Sequence, residues 1–287
     1  MAITAAMVKE LRERTGLGMM DCKKALQETD GDLEKAIEEL RKSSALKAAK
    51  KSGRTTADGL LAIKVADDGS KGAIVEVNIE TDFAAKNEKF IAFVEKTLGL
   101  VFDSEDGDLS SILAAGLDAE RETLVQEIGE NISVRRAQLM TSADGGISSY
   151  LHGDKRKGAL VNLSANVPEL GRDIAMHVTA LNPMVVQGDD VPAEVLAKER
   201  EIYETQAQDS GKPAEIITKM VEGRVKKFLK EVSLIDQGFV KDPNQTVGAL
   251  AKAAGAQVLS FSRFEVGEGI DVEVADFAAE VAAQLKE

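Results

Sequence analysis

Lys71-Gly72-Ala73-Ile74-Val75 returns later in the chain as Lys157-Gly158-Ala159-Leu160-Val161, and the surroundings of the two copies decide the fold. Ahead of the first copy Leu61, Ile63 and Val65 alternate, Asp67-Asp68-Gly69 turns the chain, and Val75, Val77 and Ile79 alternate back. That is a hairpin signature. A helix carrying Phe90, Phe93, Val94 and Leu98 follows, and Ile132, Val134 and Met140 mark a further strand. Around the second copy the order repeats: a strand from Ile147 to Leu151, a turn at Gly153-Asp154, a strand from Ala159 to Leu163, and a helix from Pro168 to Leu181. Five residues, four of them identical, can agree by chance. Their equivalent places in two hairpin-then-helix units argue for a duplicated α+β core.

Working outward, Thr4 can cap a first helix with Met7, Val8 and Leu11 on one face, ended by Gly16 and Gly18. A second short helix runs from about Asp21 with Cys22, Ala25 and Leu26 inward. Asp30-Gly31 then turns the chain, and Asp32 caps a third helix bearing Leu33, Ala36, Ile37 and Leu40. Lys47 to Thr56 has no apolar period and reads as a charged linker. The charged helical stretch from Val191 to Glu231 is broken at Ser210-Gly211-Lys212-Pro213, which predicts an αα-hairpin inserted before a last strand, Val258 to Val266. Phe277, Val281 and Leu285 predict a C-terminal helix with one apolar stripe.

The chain has 287 residues, enough for about two domains, and its apolar stretches are too broken to supply the roughly 20 residues of a membrane helix. Neither a membrane span nor a secretory signal is expected. A single cysteine, Cys22, excludes an internal disulfide framework and fits a reducing, cytoplasmic setting. The net charge of −13 opposes binding to a phosphate backbone, so direct nucleic-acid binding is not expected. Charge is uneven, however. Residues 1–57 hold 12 of the 36 cationic and 9 of the 49 anionic residues, leaving 24 and 40 for the rest, so the N-terminus is basic and could face an acidic partner.

Catalytic chemistry finds little support. The two histidines, His152 and His177, and Cys22 give no metal spacing. Cys22 on the inward face of a small helix reads as a structural thiol. The glycines at 153 and 158 have phosphate-loop spacing, but Ala159-Leu160 stands where Lys and Ser/Thr would be needed. Gly267-Glu268-Gly269 is acidic, which would repel phosphate. No cofactor is expected.

Thr81-Asp82-Phe83-Ala84-Ala85-Lys86-Asn87 is different, because it joins a strand to a helix and sets a large ring beside a carboxylate in a loop, where function concentrates. The plainer alternative has Asp82 capping a helix and Phe83 in the core, and Asp276-Phe277-Ala278-Ala279 repeats the tetrapeptide at a predicted helix start. Met19 and Met20, after a Gly-rich turn, can be core filler, the usual role of Met, or an adaptable contact beside the basic first helix, and core is expected for one and contact for the other.

Leu11-Arg12-Glu13-Arg14-Thr15-Gly16 followed by Gly18-Met19-Met20-Asp21-Cys22-Lys23-Lys24-Ala25-Leu26 resembles the N-terminal signature of the bacterial elongation factor Ts family. Thr81-Asp82-Phe83, Gly129-Glu130-Asn131-Ile132, Ser210-Gly211-Lys212-Pro213 and Arg263-Phe264-Glu265-Val266-Gly267-Glu268-Gly269 resemble it too, so the likeness spans nearly the whole chain. The resemblance implies a guanine-nucleotide exchange factor for elongation factor Tu that performs no chemistry itself. It places Thr81, Asp82, Phe83 and Ala84 near the partner's Mg²⁺, with Ala84 standing where a valine is expected. It places Arg12, Met19 and Met20 on the partner's nucleotide-binding domain, which moves both methionines to the surface. Ile128 and His152 match partner-contact positions, although Leu151 stands where a glutamine is expected.

The expected fold is therefore α+β. A three-helix, UBA-like N-terminal module (1–55) precedes a duplicated β-β-α core with antiparallel sheets, one half at 56–141 and the other at 142–186 with 233–268. A helical hairpin (187–232) is inserted in the second half, and a C-terminal module (269–287) ends the chain. The hairpin is also a candidate homodimer contact. Two other function classes stand beside exchange: a passive adaptor or chaperone, and a hydrolase using Cys22 or His152.

Overall fold

The computed structural model describes residues 3–208 and 213–271. Its first three helices are α1 (Ala5–Thr15), α2 (Met19–Glu28) and α3 (Leu33–Lys51). Thr4 caps α1 by accepting from the Met7 N–H, and Gly16 ends it in the left-handed region at φ 73°. Leu11, Leu17, Cys22, Leu26, Ala36 and Leu40 close a small core in which Cys22 is fully buried.

The third helix departs from expectation, because Lys47–Lys51 belong to it and are not linker. Ser44 and Ala48, spaced one turn apart, are buried along its far half. The Ser44 hydroxyl bonds Leu40 O and the Gln126 side chain, and the Lys51 ammonium reaches Gly129 O. A small-residue stripe seated on a neighbouring helix leaves no period in large apolar residues, so the sequence pattern missed it.

Next come β1 (Asp58–Val65), β2 (Lys71–Ile79), the single turn α4 (Asp82–Ala85) and α5 (Glu88–Asp103). They are followed by α6 (Leu109–Ile112), a kinked turn through Gly116 at φ 125°, α7 (Asp118–Ile128) and β3 (Ile132–Thr141). The second sheet is built from β4 (Gly146–Leu151) and β5 (Lys157–Leu163), with α8 (Pro168–Leu181) packed on it. Then α9 (Ala193–Gln208) and α10 (Ala214–Val232) lie side by side, joined by Ala207, Val221, Val225 and Tyr203. A short hairpin, β6 (Gly238–Phe239) with β7 (Asp242–Thr246), and α11 (Val247–Ala253) lead to β8 (Val258–Glu265). The residues 233–257 between hairpin and last strand gave no pattern in the sequence. The C-terminal helix expected on Phe277, Val281 and Leu285 lies outside the described residues, as does most of the Ser210–Pro213 break.

The α+β expectation holds, and the duplication extends to fine detail. Both sheets are three-stranded and antiparallel, in the orders β1-β2-β3 and β4-β5-β8. The step of 86 residues from Lys71 to Lys157 carries the hairpin of one sheet onto that of the other. The third strands, β3 and β8, stand further apart because the helical hairpin is inserted before β8. The central strands bulge at Glu76/Val77 and at Asn162/Leu163. Ile147 N–H donates to Gly69 O, and Leu61 N–H donates to Lys155 O, both at 2.8 Å. Between the sheets lie Leu61, Ile74, Ile147, Leu160 and Phe264. Here the repeated glycine is needed. A Cβ on Gly72 would lie 2.7 Å from Ile147 Cγ2, and one on Gly158 would lie 2.8 Å from Ile63 Cδ1. The outer face of the first sheet packs on α5 through Phe90, Phe93 and Val94, and that of the second on α8 through Ile174, Ala175 and Val178.

One buried carboxylate locks the frame. Glu76, fully buried at the β2 bulge, accepts from Arg135 (3.0 Å), Arg136 (2.5 Å), Asn78 and the Gly267 N–H (2.9 Å). Arg136 stacks on Phe264, and Glu268 in turn receives Arg263 at 2.8 Å. The Arg263-to-Gly269 run thus ties the second sheet back to the first.

Candidate functional site

Between β2 and α5 the chain makes one isolated helical turn, α4. Thr81 is extended (φ −128°, ψ 154°), and its hydroxyl accepts from the Ala84 N–H at 3.2 Å. Ala85 is buried and Ala84 half-buried against the first core, so the turn's other side faces water. Phe83 is there, 81% exposed, the most exposed large apolar side chain among the described residues. Asp82 beside it receives the Lys86 ammonium at 2.8 Å, and that ammonium also stands 5.3 Å from the Phe83 ring centroid. The hydrogen bond from Lys86 is the main reason the Asp82 carboxyl sits below its usual range, with Arg156 adding to it through charge. Asp82 is therefore an anion beside an exposed ring. The core placement of Phe83, open from spacing alone, is not what the chain adopts.

The turn is braced from behind. Thr81 donates its N–H to Glu130 Oε2 (3.0 Å) and its hydroxyl proton to Glu130 Oε1 (2.8 Å). The neighbouring residue of each partner makes the converse bond, Asn131 N–H to Glu80 Oε1 at 2.6 Å. The Asn131 side-chain amide also donates to Arg54 O (2.9 Å) and Ser52 O (3.4 Å), just past the end of α3. Residue-type reasoning gave Glu80, Glu130 and Asn131 no role, and only the family-like run Gly129–Ile132 drew notice. Two carboxylates at matching exits of a strand and a helix were the available signal.

Ile128, the last residue of α7, lies two positions before Glu130 and is half-buried against the first core. His152 is exposed at the β4–β5 turn, its Nδ1 3.2 Å from the Tyr150 hydroxyl. Arg156 of the same turn pairs with Asp58 and acts on Asp82, which brings this turn within electrostatic reach of α4. Arg12, Met19 and Met20 are exposed on α1 and α2, the methionines at 59% and 75%. No hydrogen bond or ion pair among the described residues joins these three to the Asp82 turn. The link runs through α3: Asp21 pairs with Lys47 at 3.0 Å, one turn before Lys51 meets Gly129 O. Between the N-terminal helices and the α5–α7 face lies an open cleft of about 740 Å³ lined by Arg14, Arg41, Lys89, Phe93 and Glu120. Among the described residues no cluster of three or more His, Cys, Asp or Glu could hold a metal ion, and no helix is long and apolar enough to cross a membrane.

A stiff double-sheet frame that holds an acidic and aromatic turn out into solvent, with a helical module braced to it, defines the molecule as an α+β protein of the loop-presenting kind. Its residues 80–268 match the family model described as Elongation factor TS. Elongation factor Ts of Hahella chejuensis is 59% identical over 99% of this chain and 99% of its own. The proteins of that name from Saccharophagus degradans and Teredinibacter turnerae are 58% and 54% identical, each over 99% of this chain and 98% of their own. The chain belongs to the elongation factor Ts family, and its role is that of a translation elongation factor in protein biosynthesis.

Proposed function

We propose that the chain is a non-catalytic guanine-nucleotide exchange factor that promotes GDP release from elongation factor Tu, so that GTP can bind. In this reading Asp82 and Phe83, with Thr81 and Ala84, disturb the partner's Mg²⁺ and nucleotide site. Arg12, Met19 and Met20 dock the first module, and Ile128 and His152 add contacts. The observation that carries it is Phe83, held 81% exposed on a braced turn beside an ionised carboxylate. Leaving a ring in water forgoes roughly 1.5–3 kcal/mol of burial, which a receiving pocket would return.

A factor accelerates release only if it binds the nucleotide-poor partner better, because equal affinity for both states shifts nothing. A 10⁴-fold effect needs about 5.5 kcal/mol of coupling, more than one ring supplies, so the docking contacts must contribute. Mg²⁺ demands near-octahedral ligands, and one displaced ligand weakens it sharply.

The test is release of a fluorescent GDP from elongation factor Tu with and without the chain. Phe83→Ala should slow stimulated release roughly 10- to 100-fold while leaving the protein folded. Normal exchange by the variant would take the loop out of the mechanism. A passive adaptor would bind the GTPase without changing release at all. A hydrolase on Cys22 is disfavoured by a thiol buried against Thr15 and Leu17 O. The proposal also includes cytoplasmic action, no direct nucleic-acid contact, and self-association through α9 and α10, which mass in solution would report.

A further inference from the structure

We infer that Glu130 is a positioning residue for exchange: it acts through Thr81 to aim Phe83, and with Glu80 and Asn131 it makes the docking helices and the α4 turn one rigid piece. This role rests on the exchange reading above and deepens it.

One helical turn as short as α4 does not sustain itself in water, so the direction of Phe83 must be set from outside the turn. Its anchors are the Ala84–Ala85 packing and the Thr81 cap. A threonine hydroxyl has one proton. Here the Oγ1 lies 2.8 Å from Glu130 Oε1 and 3.2 Å from the Ala84 nitrogen. Glu130 takes that proton, which leaves a lone pair facing the Ala84 N–H and orients the cap. The other Glu130 oxygen holds the Thr81 N–H, fixing the backbone at the point where the chain leaves the sheet.

The second half of the staple runs the opposite way. Glu80 accepts from the Asn131 N–H and is met by Arg54 at 3.5 Å, while Asn131, 5% exposed, holds Arg54 O and Ser52 O. Two consecutive residues, Glu130 and Asn131, therefore bind the exit of β2 and the exit of α3 together. A push on the N-terminal helices is transmitted to the Phe83 turn without a hinge. Bonds to a charged acceptor are the stronger kind, and four of them converge on this junction. Loss of aim forfeits part or all of what the ring contributes, at most the roughly 10- to 100-fold that burial of such a ring represents.

The experiment measures fluorescent-GDP release from elongation factor Tu against factor concentration. Glu130→Ala should lower the maximal rate by at least roughly 3-fold and by no more than Phe83→Ala does, with little change in the half-saturating concentration, because docking survives and aim does not. Glu130→Gln, which keeps one accepting oxygen, should fall between. Should Glu130→Ala fold poorly by thermal melting, Thr81→Val removes only the hydroxyl and should slow release, with Thr81→Ser restoring it. The decisive variant is the double, Phe83→Ala with Glu130→Ala. If Glu130 works through the ring, it adds no further loss to Phe83→Ala. Equal loss in both backgrounds, a loss seen only in half-saturation, or full activity of Glu130→Ala and Thr81→Val alongside a slow Phe83→Ala would each overturn the positioning role. Full activity of Phe83→Ala would instead sink the exchange reading beneath it.

Discussion

After its central strand the first half of the core runs Glu80-Thr81-Asp82-Phe83, and 86 residues later the second half runs Asn166-Val167-Pro168-Glu169. The frame around the two segments is the same, down to the bulge and the reciprocal backbone bonds. What differs is how the helix begins. Val167 has no side chain that can cap, and Pro168 with its preset φ starts α8, which runs unbroken to Leu181. Thr81 caps by hydroxyl, and the helix stops after one turn, resuming only at Glu88 under Asn87. That interruption sets Phe83 apart on its own ledge. One scaffold was used twice, and a cap and a break turned one of its two corners outward.

The same comparison can be broken at the bulges, where the largest effect is expected. Glu76 in the first half gathers two guanidiniums and a backbone N–H, whereas its counterpart Asn162 has a buried Oδ1 with no hydrogen-bond partner among the described residues. Glu76→Ala should destabilise by about 3 kcal/mol in urea unfolding at neutral pH, the low end for a broken buried pair because both arginines keep some water. Asn162→Ala should cost under about 1 kcal/mol, since it removes an unsatisfied group. Equal losses would mean that the two bulges carry equal load. A narrower test is the repeated glycine. Gly72→Ala and Gly158→Ala should each cost about 1–3 kcal/mol by overpacking the inter-sheet space. Gly158 should cost at least as much as Gly72, because its added Cβ meets the fixed backbone oxygen of Tyr150 at 3.0 Å as well as the movable Ile63 Cδ1, while Gly72 faces side chains alone.

Acid should separate the halves as well. His177, fully buried in the second core, accepts from the Val240 N–H at Nδ1 and meets Gln237 Oε1 at Nε2. Burial lowers its pKa below 6.5 against the opposing bond to Gln237. The unfolded chain then binds the proton first, so this contribution is complete above about pH 6.5 and erodes as pH falls below it. Glu76 follows the same sign lower down. Burial alone would raise its pKa, but the Gly267 N–H and Arg136 with Arg135 outweigh that and hold it below 4.5. Its share of stability is complete above about pH 4.5 and is lost under that. His177→Gln should flatten the stability profile just below about pH 6.5 and leave the acid limb below about pH 4.5. An unchanged upper slope would show that the imidazole is not what titrates there.

How much of this could be read in advance follows from the physics of each element. The hairpins were legible because little besides a half-buried strand produces a period of two in Val, Ile and Leu, and the repeat because it fell at matching points of two such patterns. The Lys47–Lys51 end of α3 was hidden because its buried stripe is Ser and Ala. The short β6–β7 hairpin and α11 were hidden because strands of two and five residues and a helix of seven are too brief to show a period. At the site, the Asp82–Phe83 pair stood out by residue type. Its brace did not, because Glu130 lies 49 residues away and hydrogen bonds across that distance leave no local pattern.

The smallest expected effect lies at the hairpin turns. Gly69 and Lys155 are equivalent, and both adopt left-handed backbone, at φ 73° and 57°. A lysine there is held at a cost of roughly 1–2 kcal/mol that a glycine escapes. Replacing it, Lys155→Gly, gives up roughly 0.5–1 kcal/mol through the looser unfolded chain and the few tenths that an exposed pair with Glu95 at 3.6 Å supplies. The terms nearly balance, so Lys155→Gly should change stability by no more than about 0.5 kcal/mol in urea titration, toward stabilisation. The converse, Gly69→Lys, should cost about 0.5–1 kcal/mol, because the backbone strain it adds exceeds what the stiffer unfolded chain returns, and it brings a Cβ to 3.3 Å from Asn166 Oδ1 with no ion pair in return. If instead Lys155→Gly costs as much as Gly69→Lys, the lysine side chain bears on the turn that carries His152 and Arg156 in a way the glycine turn has no counterpart for, and the two corners are equivalent in backbone only.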